Sequence, residues 1–240
     1  MTTGILAYGA YIPRLRLQRK AIAEANGWLN PALKGLARGE RAICNWDEDP
    51  VTMAVEAARD ALVGRDRDSV RDLRFASTTF PFLDRLNAGV VAQALRLPEE
   101  IAATDVGATQ RAATSALASA LKGGAETLVV AAEKRETRAA SPLEMASGDG
   151  AAAVVIGDGE PVAVLKGSAT RTVDFVDHYR TADSVYDYQW EERWIRDAGY
   201  MPTVPPLIGR CLAEAGVAAA DVTHFCMPAT LPRVAGMVAK

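Results

Sequence analysis

Short apolar runs separated by polar and glycine-rich stretches recur along the chain, and they predict buried β-strands. The clearest is TLVVAA at Thr127–Ala132, whose continuous apolar character is typical of a strand covered on both faces. GILAYGAYIP at Gly4–Pro13 predicts the first strand, closed by its proline. The remaining predicted strands are Leu73–Thr78, Ile101–Thr104, Gly148–Gly157, Val162–Ala169 and Asp221–Met227.

Between these strands, apolar and small residues recur at spacings of three and four, which predicts helices with one buried face. The strongest helix start is Asp47–Pro50, where acidic residues suit the positive end of the helix dipole and proline suits the first turn. The other predicted helices are one ending near Gly27, Asp84–Leu95, Val204–Ala215 and Leu231–Lys240. The alternation of strands and helices predicts an α/β protein with a largely parallel sheet.

The stretch Asp105–Gly124, DVGATQRAATSALASALKGG, predicts a turn that leads into a buried helix. Its many alanines carry little side-chain volume, so other backbones can approach that helix closely. A helix N-terminus at 108–111 would point unpaired N–H groups at the group that lies before it. Many folds place a nucleophile or an oxyanion contact at such a helix start. A core helix kept small only for packing explains the same composition, and this stretch alone leaves both interpretations open.

The order helix, strand, helix in residues 203–240 repeats the order in residues 54–95. This repetition indicates a duplicated fold whose second copy begins near Val162. We therefore predict a complete first half at 1–161 and a partial second half at 162–240. The later strands of the second half are missing, so we expect the chain to be a fragment or to be completed by another chain.

Residues 170–202 interrupt the second half with a stretch rich in aromatic and charged side chains. An insertion of this length is either a functional lid or a surface excursion packed on the domain by Trp190 and Trp194. Because the second half is unfinished, we also expect the apolar face of Leu231–Val238 to lack its usual cover.

Composition narrows the classes of function. The 240 residues carry a net charge of −3, with 49% hydrophobic and 24% charged residues, which is ordinary for a globular protein and gives no basic groove for nucleic acid. Three widely separated cysteines and two histidines disfavour a zinc site, so no metal is expected. We also expect no secretory signal, no membrane span and a reducing, cytoplasmic location.

Several motifs in one order resemble the thiolase superfamily, in its hydroxymethylglutaryl-CoA synthase and ketoacyl-ACP synthase III branch. The most specific are GAYIPRLRL at 9–17, WDEDPVTMAVEAARDAL at 46–62 and SGDGAAAVVIG at 147–157, with weaker matches in TVDFVDHYR at 172–180 and from Asp221 onward. The resemblance covers Gly4–Lys240. It implies a thiolase-like α/β fold with αβαβα layers, its first repeat complete and its second partial, and acyl-thioesters of CoA or a carrier protein as ligands.

At the family's catalytic positions the chain carries other residues. The nucleophilic cysteine of the D-L-x-x-x-C pattern, activated in the family by a helix dipole and a histidine, falls at Gln110, and a register shift of one places Thr109 there. The family's general acid/base glutamate falls at Thr78 and its histidine at Pro228. An amide cannot form a thioester, so acyl transfer through Gln110 is excluded.

The resemblance also implies which residues bind the substrate. No resident cofactor is expected, since a coenzyme A thioester is itself the ligand. The GDG at 148–150 is similar to the family's glycine turn near the active site and is not a dinucleotide fingerprint. Cys44, Cys211 and Cys226 lie at no predicted helix N-terminus and are expected to be buried, inert thiols. The residues expected to contact substrate are Thr109, Arg111, Gly148, Asp149 and His178.

Three functions remain open at this point. The first is a protein that handles acyl-CoA or acyl-carrier thioesters without being a standard condensing enzyme. The second is a malonyl-thioester decarboxylase, as in ketosynthase-like domains where glutamine replaces the cysteine and its amide helps bind the thioester carbonyl. The third is a non-catalytic structural partner in an acyl-CoA-processing complex. The resemblance further implies a homodimer or a heteromer, in some relatives with a zinc-ribbon/OB-fold protein, and neither nucleic acid nor membrane as partner.

Overall fold

The computed structural model describes residues 2–231 and 233–240. The chain forms two compact units. The first unit runs up to Arg135 and resumes over Gly148–Leu165, and the second consists of Glu136–Ser147 and Lys166–Lys240. The division into fold repeats at 1–161 and 162–240 stays a prediction.

A mixed sheet, a separate strand pair and four helices build the first unit. Its strands are β1 (Thr2–Tyr11), β2 (Leu15–Gln18), β3 (Glu40–Ile43), β4 (Asp72–Ala76), β5 (Ala102–Val106), β6 (Thr127–Glu133) and β7 (Gly150–Gly159). Its helices are α1 (Arg19–Asn26), α2 (Pro50–Ala61), α3 (Asn87–Leu95) and α4 (Ala112–Gly123), with short 3-10 turns at Pro31–Leu36 and Arg67–Ser69.

The five strands of the main sheet lie in the order β1–β7–β6–β4–β5. Strand β4 pairs in parallel with β5 on one side and with β6 on the other, whereas β7 pairs antiparallel with both β6 and β1. The prediction of a largely parallel sheet is therefore wrong for the β1 end. Parallel neighbours require a crossover connection, which α3 and α4 supply, but after β6 the chain turns back beside that strand as an antiparallel neighbour.

Helices cover both faces of the main sheet. Helices α2 and α3 pack on one face with Leu73, Phe75 and Leu128, while α4 packs on the other with Val129 and Ile156. Successive residues of β6 point to opposite faces, which explains why TLVVAA has no polar break. The first four residues of β6 are buried, so the prediction of a strand covered on both faces is confirmed.

The start of α2 follows from its local sequence. Thr52 N donates to Asp49 Oδ1 and Asp49 N donates to Thr52 Oγ1, each at 2.8 Å, so the two residues form a reciprocal capping box. Pro50 occupies the first turn, as predicted.

Among the described residues, no helix has both the length and the apolar character needed to cross a membrane.

Helix α4 begins later and is less buried than its sequence predicted. It starts at Ala112 with Arg111 as the N-cap, so the predicted N-terminus at 108–111 is wrong by a few residues. Ala108 has a φ of 59°, a left-handed conformation that a right-handed helix cannot include. The buried residues of α4 are alanines spaced four apart, so only one face of this helix is covered. These are Ala112, Ala116 and Ala120.

Two of the predicted strands do not form. Val162–Ala169 contributes a single bridge, between Ile5 and Ala163, and Asp221–Met227 is not a strand. A strand needs a neighbour to pair its backbone N–H and C=O groups, and none of the strands in the described residues lies beside Asp221–Met227. Conversely, β2 and β3 pair as antiparallel strands, and neither is among the strands predicted above.

The second unit combines a small hairpin with a group of helices. Its elements are α5 (Pro142–Ala146), β8 (His178–Tyr179), β9 (Tyr188–Gln189), α6 (Glu192–Trp194), a π-helix (Ile195–Tyr200), α7 (Met201–Ala215), a 3-10 turn (Ala219–Asp221) and α8 (Val234–Val238). The predicted helix at Val204–Ala215 is confirmed by α7, and the one at Leu231–Lys240 is shortened to α8.

The core of the second unit joins the 170–202 insertion to the C-terminal helices. Leu231, Val234 and Val238 are buried with Ile195, and Phe175 packs against them. The expectation that this C-terminal apolar face lacks cover is therefore wrong. The two tryptophans named for the surface-excursion alternative are partly exposed, at 41% for Trp190 and 44% for Trp194, and the Trp194 ring centroid lies 4.5 Å from that of Phe175.

Gly9, where β1 crosses α2, offers a test of the packing in the first unit. A Cβ added at Gly9 would overlap backbone atoms of Ala57 and Ala61. We expect Gly9→Ala to lower the free energy of unfolding by about 1–3 kcal/mol, the usual cost of overpacking, in urea denaturation followed by circular dichroism. The control is Gly35→Ala, since a Cβ there meets no atom within 4 Å. Equal stability of the two variants would contradict this packing.

Candidate functional site

The carboxyl ends of β5, β4 and β6 meet at one edge of the sheet because these three strands are parallel. After β4 the chain enters α3 on one face, and after β5 it enters α4 on the other. Open α/β sheets bind ligands in the crevice outside such a reversal of strand order. The candidate site of the first unit therefore consists of the residues at these strand ends, including Thr78, Gln110 and Glu133.

Glu133, the last residue of β6, holds the loop that follows β4. Its carboxylate accepts hydrogen bonds from Thr78 N at 2.7 Å, from Thr78 Oγ1 at 3.0 Å and from Thr79 Oγ1 at 2.8 Å. Arg135 Nη2 donates to Thr78 Oγ1 at 2.8 Å, which adds a positive charge to the cluster. Thr78 thus lies beside a carboxylate supplied by the neighbouring strand, and its correspondence to the family's glutamate stays a prediction.

Asp149, the residue directly before β7, fixes backbone segments at the same edge of the sheet. It is 8% exposed, with Oδ2 accepting from Cys44 N at 2.8 Å and Oδ1 from Arg135 N at 3.2 Å. Both oxygens therefore fix backbone segments, which is a positioning role. Gly148, next to it, is exposed. Substrate contact by Gly148 or Asp149 stays a prediction.

Asp105, near the end of β5, caps the N-terminus of α3. It accepts hydrogen bonds from Asn87 N at 2.8 Å, from Ala88 N at 2.7 Å and from Asn87 Nδ2 at 2.9 Å. These bonds satisfy N–H groups that a helix start leaves without partners. They also couple the end of β5 to the helix that follows β4, which stiffens both sides of the crevice.

Gln110 and Thr109 lie in the turn between β5 and α4, and both are exposed, as is Arg111. Thr109 Oγ1 accepts from Arg111 N at 3.3 Å and the Thr109 carbonyl accepts from Ala112 N at 3.1 Å. The left-handed φ of Ala108 costs energy for a residue with a Cβ, and such strain often accompanies functional turns. The turn thus places the Gln110 side chain at the protein surface just before α4.

His178 and Pro228 belong to the second unit. His178 is 7% exposed and its Nδ1 lies 2.7 Å from Asp177 Oδ1. The other oxygen, Asp177 Oδ2, accepts from Tyr200 OH and Thr230 Oγ1, each at 2.8 Å. Pro228 is exposed in the extended segment just before Thr230. Substrate binding by His178 and a catalytic position at Pro228 stay predictions.

The hydrogen bonds to Asp177 decide its charge. Burial opposes ionisation, but the bonds from His178, Tyr200 and Thr230 outweigh it and lower the pKa of this carboxyl to about 2. The same environment raises the pKa of Tyr200 well above its ordinary value, first through burial and then through Asp177. Asp177 is therefore a carboxylate, and Tyr200 a neutral donor, at neutral pH.

The three cysteines differ in exposure. Cys44 and Cys211 are half-buried, but Cys226 is exposed, so the prediction of a buried thiol is wrong for Cys226, because the strand expected to carry it does not form. Burial, together with the charge and hydrogen bond of Asp149, raises the pKa of the Cys44 thiol to about 12. Cys44 is therefore protonated at neutral pH and a poor nucleophile.

The residues of these clusters that the sequence did not indicate include Glu133, Arg135, Asp177, Tyr200 and Thr230. Glu133 had a usable signal, because it is the charged residue that directly ends the apolar run TLVVAA. The partners of Asp177 had none, since Tyr200 and Thr230 lie 23 and 53 residues away along the chain.

Removing the Glu133 carboxylate tests whether it holds the β4 loop. We expect Glu133→Ala to lower the free energy of unfolding by about 1–3 kcal/mol, because the part-buried Thr78 N–H loses its acceptor, and Glu133→Gln to cost less because its amide oxygen can replace one acceptor. Chemical denaturation measures both. The control is Glu99→Ala, at an exposed glutamate of the same unit. A Glu133→Ala protein as stable as this control would contradict the role assigned to the carboxylate.

No family model matches the chain, but curated proteins do. The hydroxymethylglutaryl-CoA synthase of Methanocella arvoryzae is 32% identical over 213 residues, which cover 85% of this chain and 60% of the relative. That of Methanosphaera stadtmanae is 29% identical over 230 residues, which cover 92% of this chain and 66% of the relative. The chain thus spans less than two thirds of the length of these relatives.

Solved structures show the same fold. An HMG-CoA synthase crystallised with CoA superposes with a TM-score of 0.86 at 22% identity, covering 99% of this chain and 63% of that one. A 3-oxoacyl-(acyl-carrier-protein) synthase III superposes with a TM-score of 0.72 at 17% identity, covering 92% of this chain and 77% of that one. The fold is therefore the thiolase-like α/β fold. Taken with the sequence similarity, it places this chain in the hydroxymethylglutaryl-CoA synthase and ketoacyl-ACP synthase III branch of the thiolase superfamily.

Proposed function

We propose that this protein binds an acyl-thioester of coenzyme A, or of a carrier protein, and handles it without forming a covalent acyl-enzyme. The observation that carries this proposal is Gln110, which stands in the turn before α4 where the family's cysteine is expected. A carboxamide nitrogen is not a nucleophile at neutral pH, so no thioester forms there. Its N–H groups can still donate a hydrogen bond to a thioester carbonyl.

The cysteines support the same conclusion. Cys44 is held as a thiol by burial and by Asp149. Cys211 lies within α7, and Cys226 lies in the extended segment well before α8. Since activated cysteines sit at helix N-termini or beside cations, none of the three has the setting of a catalytic thiolate. A non-covalent complex with the thioester is therefore the form of ligand binding we propose.

The charge distribution of the first unit suits the nucleotide end of coenzyme A. The chain is acidic overall, at −3, yet residues 14–41 are strongly basic, and most of their cationic side chains are exposed. Phosphates are recognised by such cations, and Trp28, 82% exposed in the same stretch, offers a flat ring to a purine. The basic residues, against only Glu24 and Glu40, are Arg14, Arg16, Arg19, Lys20, Lys34, Arg38 and Arg41.

A second candidate function, decarboxylation of malonyl-thioesters, is favoured by the exposed amide of Gln110. Decarboxylation needs no acyl-enzyme, because loss of CO₂ leaves an enolate whose negative charge collects on the thioester oxygen. Hydrogen-bond donors aimed at that oxygen lower the barrier. The Gln110 carboxamide, exposed in the turn before α4, is a suitable donor.

Partners and location form part of the same proposal. We propose a dimer or a heteromeric complex, including one with a zinc-ribbon/OB-fold protein, in which the chain serves as a catalytic or a structural member. Support comes from β5, an edge strand of the sheet, and from the largely uncovered outer face of α4, since exposed edges and faces of this kind are commonly covered by a partner. We propose a cytoplasmic location and no resident cofactor.

Acetyl-CoA tests the main proposal. We expect calorimetry to detect binding, and intact-mass spectrometry after incubation to show no added acetyl group, because no thiolate is available to accept one. The matched control is Gln110→Cys, which restores a thiol at the family position and is expected to gain the acetyl group. Acetylation of the unaltered protein, or absence of any binding heat, would contradict the proposal.

Malonyl-CoA tests the decarboxylase function. We expect release of CO₂ that falls by roughly 10²–10³-fold in Gln110→Ala, the usual effect of removing one oxyanion donor. Thr114→Ala, an exposed change further along α4, is the control and should leave the rate unchanged. Equal rates of CO₂ release by the wild type and by Gln110→Ala would contradict the role of Gln110 in decarboxylation.

A further inference from the structure

A row of exposed aromatic rings lies in the second unit, on the β8–β9 hairpin and the short helix that follows it. It consists of Tyr179, Tyr188, Trp190 and Trp194, which we call the aromatic cluster. These side chains are between 41% and 54% exposed. Single exposed apolar residues are normal on protein surfaces, but contiguous patches mark interaction sites. The aromatic cluster is therefore a candidate docking surface.

The rings of the aromatic cluster are in contact with one another. Tyr179 and Tyr188 lie opposite each other in the hairpin, with ring centroids 5.5 Å apart. The Trp190 ring lies 6.3 Å from that of Tyr179 and 5.5 Å from that of Tyr188. The Trp194 ring lies 5.2 Å from that of Trp190 and 4.5 Å from that of Phe175, which packs on the buried core of the unit. The rings are thus held in place before a ligand binds, which lowers the entropic cost of binding.

The rings are inclined to one another rather than parallel. Tyr188 and Trp190 stand at 89°, and Tyr179 is tilted by 49° from Tyr188 and by 40° from Trp190. A platform on which a flat base or sugar ring stacks needs parallel ring planes. Rings inclined around a corner are instead typical of aromatic cages, in which the negative ring faces surround a cation. The geometry of the aromatic cluster therefore favours a cationic ligand.

The charge around the aromatic cluster favours the same kind of ligand. The segment 179–194 carries four carboxylates and two arginines, a net charge of −2. One of these arginines, Arg180, lies 3.7 Å from the Asp187 carboxylate. Glu191 and Glu192, which lie between the two tryptophans in sequence, are exposed, and hydrogen bonds from the backbone that follows lower the pKa of Glu191. A cation at the rings would meet negative charge beside them, and such complementarity steers association.

Arginine is the cation that fits this surface best. Its guanidinium is planar, weakly hydrated and stacks on aromatic rings, whereas the lysine ammonium is compact and strongly hydrated. Tryptophan, tyrosine and arginine are also the residues that dominate binding energy in protein interfaces. The aromatic cluster extends from Tyr179 through Trp190 to Trp194 in steps of 6.3 and 5.2 Å, and a cation is attracted by a ring within about 6 Å. The surface is therefore wide enough for more than one guanidinium of the same partner segment.

We propose that the aromatic cluster is the docking surface for an arginine-rich, extended segment of a partner protein. The guanidinium groups of that segment lie against the tyrosine and tryptophan rings, and the exposed carboxylates of Glu191 and Glu192 balance their charge. This inference goes beyond the proposed function, because it concerns the second unit and does not require the acyl-thioester to bind. Its failure would leave the proposal for Gln110 intact.

Titration with a synthetic hexapeptide of alternating proline and arginine tests the proposal, since proline keeps the probe extended. The chain contains four tryptophans, so labelling with ¹⁵N-tryptophan gives four indole signals in an NMR spectrum. We expect the peptide to shift the signals of Trp190 and Trp194 and to leave that of Trp46 in place. The matched probe replaces each arginine by citrulline, which keeps the shape but carries no charge. We expect it to bind at least about 5-fold more weakly, because several cationic contacts are lost together.

Variants of the protein separate the aromatic cluster from exposed rings in general. Trp190→Leu removes the ring that contacts the three others, and we expect it to weaken peptide binding, measured at the Trp194 signal, by roughly 2–5-fold, the effect of one exposed cation–π contact. The control is Trp46→Leu, at a tryptophan that is 89% exposed and precedes the exposed Asp47, which should bind the peptide like the wild type. Circular dichroism checks the folding of both variants. If Trp190→Leu fails to fold, the positions of the shifted signals and the citrulline peptide still decide the proposal.

Three results would overturn the proposal. The first is the absence of any shift at Trp190 and Trp194 with millimolar arginine peptide. The second is equal binding of the citrulline peptide, which would show that the charge of the ligand is irrelevant. The third is binding of tetramethylammonium chloride, a small cation without a peptide chain, as tightly as the arginine peptide, which would exclude the assignment to a protein segment. Shifts at Trp190 and Trp194 that require arginine support the proposal.

Discussion

The backbone hydrogen bonds that pair β4 with β5 on one side and with β6 on the other direct three strand ends toward one edge of the sheet. Every feature of the candidate site in the first unit depends on that pairing. It places the loop that carries Thr78 between the turn that carries Gln110 and the strand end that carries Glu133. Because α3 and α4 leave the sheet on opposite faces, the edge stays open to a ligand.

Carboxylates then hold the loops around this framework. Glu133 accepts from the β4 loop, Asp105 from the start of α3, and Asp149 from the backbone at Cys44 and Arg135. Part-buried carboxylates are costly unless hydrogen bonds compensate, and here backbone N–H groups provide them. Each acid therefore fixes a loop in one position, and Asp177 does the same in the second unit through hydroxyl donors.

The proposed function needs a site that binds the thioester without a thiolate at the position of Gln110. Oxyanion stabilisation and substrate positioning need only fixed dipoles, which the turn before α4 can provide without a cysteine. Decarboxylation of a malonyl-thioester, the second candidate function, likewise proceeds without an acyl-enzyme.

Sequence patterns predicted the parts of this fold that depend on local burial. The capped helix after Asp49 and the doubly covered strand at Thr127–Ala132 are examples, since both follow from residues adjacent in sequence. Asp221–Met227 was predicted as a strand and is not one, because strand formation also requires a neighbour, which the pattern of one segment does not contain.

The site residues also fall into two groups, those that the sequence indicates and those that only the fold brings together. Gln110, Thr78 and Pro228 came from a resemblance read along the chain, and their roles stay predictions. The contacts of Glu133 with Thr78 and of Asp177 with Thr230 join residues 55 and 53 positions apart. Such pairs depend on strand order and on the packing of the second unit, and no local spacing predicts them.

The central claim is that the acyl-thioester is held intact next to Gln110. The most direct measurement is the ¹³C NMR spectrum of acetyl-CoA labelled at the thioester carbonyl, recorded with and without the protein. We predict that the carbonyl resonance shifts when acetyl-CoA binds and that it still belongs to the intact acetyl-CoA thioester. We also predict that this shift disappears with Gln110→Ala. A resonance that transfers to a protein-bound acyl group, or a shift that is the same in Gln110→Ala, would contradict it.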